Sequence, residues 1–81
     1  MIHSSEIWGI IQTYMPRRQF IPLETIYEVV EEHGDLDAED FEWQSTTSDV
    51  PKWRRNVRSV LQYRKRMSEI EWDGKAKYLL P

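Results

Sequence analysis

Between positions 52 and 66 the chain reads KWRRNVRSVLQYRKR, with seven cations and no acid. A guanidinium presents a planar fork of donors that fits guanine O6 and N7 or a phosphate, and an amide offers the donor and acceptor that match adenine N7 and N6. Arg54, Arg55 and Arg58 are therefore expected at guanine edges or phosphates, Asn56 and Gln62 at adenine edges, and Ser59 at an edge or the backbone. At 3.6 residues per turn, Trp53, Val57, Val60, Leu61 and Arg64 share one helix face. The opposite face carries Arg54, Arg55, Arg58, Ser59, Gln62, Lys65 and Arg66, with Asn56 and Tyr63 on one flank. A solvated helix normally mixes acids among its cations, and this one does not. Plainer roles compete at some positions. Arg58 can pair with acids elsewhere in the chain, the Arg64 stem can lie beneath a neighbouring hairpin, and Lys65 and Arg66 can complement the helix dipole.

Other residues add to this picture. Lys75 and Lys77 near the C-terminus, and Arg17 and Arg18 after the first apolar segment, suit phosphate contacts, which position a protein without specifying sequence. Trp43 and Asp49 sit just ahead of the basic segment, where an aromatic wall beside an acceptor is the chemistry that holds a modified or flipped base. The competing role for Trp43 is core packing, and Trp8 and Trp53 fit the core. No catalytic or metal constellation emerges. His3 and His33 have no partner at ligand spacing, there is no cysteine, and the acids at 28, 31, 32, 35 and 37 lack a calcium loop's glycine and closing glutamate. Gly9, Gly34 and Gly74 are too scattered for a phosphate loop. A binding domain without cofactor or metal, rather than an enzyme, is expected.

Charge is distributed unevenly over the 81 residues, whose net charge is −3. Residues 1–51 hold two arginines against eleven acids, giving −9, while residues 52–81 hold nine Lys or Arg against three acids, giving +6. The basic end is what a polyanion would meet. The opening residues lack the basic start and apolar run of a signal peptide, and no apolar stretch approaches a membrane span. A cytoplasmic protein with no membrane partner is the expectation.

The elements that must position these residues are legible in the pattern. Ser4 or Ser5 is expected to cap a first helix with Ile7, Trp8, Ile10, Ile11 and Tyr14 as its stripe, ended by Met15-Pro16. Gln19 to Pro22 reads as extended. A second helix from Leu23 to His33 turns Ile26, Tyr27 and Val30 inward and stops at Gly34. Residues 35–51 form a long acidic connection in which an extended stretch would point Phe41 and Trp43 at the core. Asp49 caps the third helix, with Pro51 just inside its start. Glu69-Ile70-Glu71-Trp72, the turn signal Asp73-Gly74 and the run from Lys75 to Leu80 predict a hairpin over 69–80, with Ile70, Trp72, Tyr78 and Leu80 on one side. The whole predicts one α+β domain over 1–81, a winged helix-turn-helix of three helices, a short strand and a C-terminal β-hairpin wing.

The run from Trp53 to Gln62, followed by Ile70-Glu71-Trp72 and Tyr78-Leu79-Leu80, resembles the winged-helix modules fused to bacterial restriction endonucleases. It is similar to the N-terminal domain of Mrr-type enzymes and to the modification readers linked to HNH nucleases. The resemblance spans residues 20–81 and is sharpest over 51–81. Where the family carries glycine between recognition helix and wing, this chain has Ser68. The resemblance implies a module that selects double-stranded DNA, in some members by a methylated base, with nuclease chemistry in a separate domain of a longer parent chain. The expected arrangement is helix 52–66 in the major groove and wing 69–80 on the backbone. A small phage or operon transcriptional regulator, or a winged helix used for protein–protein interaction, are the alternatives.

Overall fold

A broad apolar stripe in each helix must be covered, and the three stripes meet in one core. The computed structural model describes residues 1–43 and 50–81. Its elements are α1 (Ser4–Tyr14), β1 (Phe20–Pro22), α2 (Leu23–His33), a short 3-10 turn (Glu39–Phe41), α3 (Lys52–Arg66), β2 (Glu71–Trp72) and β3 (Lys77–Leu79). Ile7, Ile11, Ile26, Val30, Trp53, Val57 and Leu61 are fully or almost fully buried, and Ile21, Ile70, Tyr78 and Leu80 close the core from the sheet. Tyr27 meets Trp53 edge-on, with ring centroids 5.8 Å apart. That geometry adds to the area both rings bury.

The three strands form one antiparallel sheet in the order β1-β3-β2. Phe20 pairs with Leu79 and Ile21 with Tyr78, while Glu71 and Trp72 pair with Leu79 and Tyr78. The chain is thus an α+β fold in which a hairpin follows the third helix, and a strand from between the first two helices completes the sheet.

Several local expectations are corrected. His3, not a serine, occupies the N-cap of α1, and no side chain caps it. Tyr14 lies outside the core and stacks on His33 at 3.6 Å, while Met15 is buried in its place. Gly34 does end α2, yet its φ is −89° rather than left-handed. Its role is close approach: a Cβ there would lie 2.7 Å from the Val30 carbonyl oxygen and 3.0 Å from Ile2 Cδ1. Phe41 and Trp43 do not point inward, being 53% and 60% exposed. The period-2 spacing marks a 3-10 turn running into a short bridge, Trp43 with Pro51, instead of a core strand. Pro51 sits at the N-cap of α3 rather than inside it. The expected cap Asp49 lies outside the described residues.

The hairpin also differs in its turn. Asp73 N–H donates to the Lys77 carbonyl at 3.1 Å, so Gly74, Lys75 and Ala76 form a three-residue loop in place of a two-residue Asp-Gly turn. The Asp73 carboxylate accepts from the N–H groups of Lys75 and Lys77 at 2.8 and 3.1 Å, and Gly74 takes a φ of 88°. A carboxylate that folds its own backbone in this way specifies a longer loop.

Candidate nucleic-acid interface

Burying Trp53, Val57, Val60 and Leu61 forces the opposite side of α3 outward. Arg55, Arg58, Ser59, Gln62 and Arg66 line a shallow groove of 350 Å³ along that side. Among the described residues, no carboxylate lies within 4.0 Å of Arg55, Arg58 or Arg66. The alternative pairing of Arg58 with the acidic half is therefore not seen among those residues. Arg58 instead lies close enough to Tyr27 and Tyr78 for its charge to draw both phenol pKa values down, against the larger upward push of burial.

Arg66 lines the groove as well, while its Nε donates to the Gln62 carbonyl at 3.4 Å near the helix end. Helical arithmetic contains the signal, since eleven residues of α-helix bring Arg66 within about 20° of Arg55 around the axis. Gln62 is held rather than loose: its Nε2 donates to Tyr78 Oη at 2.9 Å. Asn56 faces a different place. It lines a 570 Å³ groove on the flank of α3 with His3, Ser4, Tyr63 and Arg64, and Ser59 forms the ridge between the two grooves.

The remaining basic residues divide by what already engages them. The Arg54 guanidinium lies over the rings of Tyr27 and Trp53, at 4.8 and 5.4 Å, with Glu24 at 4.0 Å. It joins α2 to α3. Arg64 lies over Trp8 at 4.9 Å and pairs with Glu69 at 2.7 Å, so it bridges α1 to the start of the hairpin. Lys65 sits 4.6 Å from the Trp72 ring, whose indole N–H donates to the Lys75 carbonyl. Trp72 consequently covers the helix end, 39% exposed, outside the core that Ile70, Tyr78 and Leu80 share.

Lys75 and Lys77 are exposed at the hairpin turn. The Asp73 carboxyl between them is held below the ordinary carboxylate range by the backbone N–H groups it accepts. Arg17 and Arg18 lie at the other end of the sheet. Arg17 donates to the carbonyl oxygens of Pro81 and Gln12 at 2.9 and 2.8 Å, and the Arg18 N–H bonds the Leu80 carbonyl at 2.7 Å. Arg17 and Arg18 adjoin the Leu80 end of β3, and Lys75 and Lys77 lie at its start and in the turn before it.

Trp43 is exposed beside Glu42, whose carboxylate meets Lys52 Nζ at 3.2 Å. Its expected pocket partner Asp49 is outside the described residues. Among the described residues, no group of three His, Asp or Glu side chains is placed to hold a metal ion, and no helix is long and apolar enough to cross a membrane. No family model matches the chain, and no curated protein or solved structure is significantly similar to it.

Proposed function

We propose that the chain is a winged helix-turn-helix domain that binds duplex DNA, with α3 in the major groove and the β2–β3 hairpin against the backbone. The observation that carries this reading is the guanidinium groove of Arg55, Arg58 and Arg66 with Ser59 and Gln62, in which no carboxylate among the described residues pairs with the three arginines. Exposed guanidiniums on one helix stripe repel one another, and a polyanion relieves that repulsion while releasing its own counterions. The element order and the β1-β3-β2 sheet support the winged-helix part, since they set a hairpin bearing Lys75 and Lys77 beyond the end of the exposed helix.

The domain's role in this reading is recognition, not catalysis: it selects DNA for a restriction-type nuclease domain elsewhere in a parent chain. Trp43 is the residue proposed to meet a methylated base, and its 60% exposure supports an outward role. Binding to matched methylated and unmethylated duplexes tests this part, and equal affinity for both removes it.

Anisotropy titration of a mixed-sequence duplex tests the whole. Affinity should fall by orders of magnitude between about 50 and 200 mM salt if several phosphates are neutralised. R55A or R58A should each reduce the slope of log affinity against log salt by about 1 where the side chain meets a phosphate, or relax preference at one base pair where it meets a base. Failure to bind duplex at the lowest salt would sink the proposal. It would favour a second reading, a protein-binding domain using the exposed Phe41 and Trp43.

A further inference from the structure

We infer that the flank groove of α3 seats one sugar–phosphate strand of the duplex, held by the neutral donors Asn56, Ser59 and Tyr63 rather than by cations. Resting on the duplex-binding reading, this locates one strand and moves Asn56 from an adenine edge to the backbone.

Helix geometry supplies the first reason. Asn56 lies about 100° around the axis from Arg55, and Tyr63 about 80°. Both therefore stand roughly at right angles to the arginine stripe, about 10 Å apart along the helix. An α-helix about 10–12 Å across nearly fills a major groove about 12 Å wide. With the arginine stripe toward the base edges, the flanks of the helix meet the two backbones.

The flank is also concave and free of negative charge. Its groove has a volume of 570 Å³, and His3 and Ser4 at the start of α1 line it together with Asn56, Ser59, Tyr63 and Arg64. Ser59 lines the guanidinium groove as well, so the two are continuous. Among the described residues no carboxylate lines the flank groove, and its arginine, Arg64, is already paired with Glu69. Ser59 and Tyr63 are exposed and Asn56 is half-buried. No group among the described residues hydrogen-bonds the Asn56 amide or the Ser59 and Tyr63 hydroxyls. Each of the three can donate to a phosphate oxygen.

Neutral donors leave a signature of their own. A lysine or arginine at a phosphate displaces counterions and steepens the salt dependence, while an amide or hydroxyl adds a hydrogen bond and displaces none. Phosphate contacts also carry no sequence information. Removing one of these side chains should weaken binding to every duplex alike and leave the salt slope as it was.

Anisotropy titrations of wild type, N56A, Y63F and N56K against a mixed-sequence duplex over a salt series, with selection from a randomised duplex pool, test the inference. N56A and Y63F should each lower affinity about three- to tenfold, with the slope of log affinity against log salt and the selected sequences as in wild type. N56K sets a cation beside the strand and should steepen that slope by about 1. Neither Asn56 nor Tyr63 belongs to the core, so thermal unfolding of N56A and Y63F should match wild type. Wild-type affinity in either of these two variants overturns the inference with duplex binding intact. So does an N56A that relaxes preference at one base pair, or an N56K with the wild-type slope. A wild type that binds no duplex at the lowest salt removes both readings.

Discussion

Asp40 is the one buried charged side chain among the described residues. Its oxygens accept from the Ile2 N–H at 3.0 and 3.2 Å and from the Asp37 N–H at 3.0 Å. Asp37 in turn accepts from the Asp40 N–H and holds the Met1 ammonium at 2.6 Å. The ammonium holds the Asp37 carboxyl below its usual range, while the carboxylate holds the amine above its own. Two backbone donors, one of them shared between both oxygens, supply part of what water would give the Asp40 carboxylate, and the Met1 ammonium held by Asp37 puts an opposite charge nearby. The clamp seats Ile2 in the core and ties the acidic turn to the start of the chain. D40A leaves the buried Ile2 N–H without its acceptor and should destabilise the fold by about 1–3 kcal/mol in urea denaturation. A change no larger than that of exposed Glu39→Ala would refute the role. None of this is legible in the run DLDAEDFEW, where five acids look alike. Phe41 and Trp43 mislead for a related reason, since alternation over three residues fits a core strand and an exposed turn equally well. Gln62 is legible in the sequence as a polar groove residue. Its bond to Tyr78 is not, because the reach from helix to strand depends on the packing between them.

At the scale of elements, α2 and α3 have the bounds that their apolar period predicts, Leu23–His33 and Lys52–Arg66, because buried stripes and terminal breakers agree. The turn beyond α3 is set by hydrogen bonds that composition does not display. Ser68 takes a φ of 61°, its N–H bonds the Lys65 carbonyl at 3.0 Å, and the Glu69 N–H bonds the Arg64 carbonyl at 2.9 Å. This is the Schellman pattern, with Ser68 in the left-handed position that glycine fills most easily. The side-chain contact that accompanies such a cap is ionic here, Arg64 to Glu69. S68G relieves the Cβ penalty and should stabilise the domain by about 1 kcal/mol, less the added freedom of the unfolded chain. Thermal unfolding checks this as a rise in Tm, with duplex affinity unchanged because Ser68 lies outside the groove. A lower Tm would mean that the serine makes a contact its backbone geometry does not reveal.

Across the whole molecule, the charge division of the sequence follows the elements. Among the described residues, α2 and the turn at 35–42 expose most of the acids, while α3 and the hairpin carry most of the cations. Within a Debye length the cations attract an approaching polyanion and the acids repel it. Replacing Glu28, Glu31 and Glu32 together by glutamine should raise duplex affinity by about two- to fivefold at low salt, with the gain shrinking as salt is added. A gain that persists at high salt would indicate a direct contact instead of a long-range field. The sheet joins segments far apart along the chain, because Phe20 finds its partner in Leu79 and Pro22 in Lys77. Until residues 77–79 have been synthesised, β1 has no strand to join and Ile21 has no sheet to cover it. The helices can form by local contacts during synthesis, whereas closure of the sheet waits for nearly the entire length of the domain. A ribosome-bound chain halted ahead of Lys77 would thus carry an incomplete core and an unpaired edge, the kind of surface that chaperones and proteases engage.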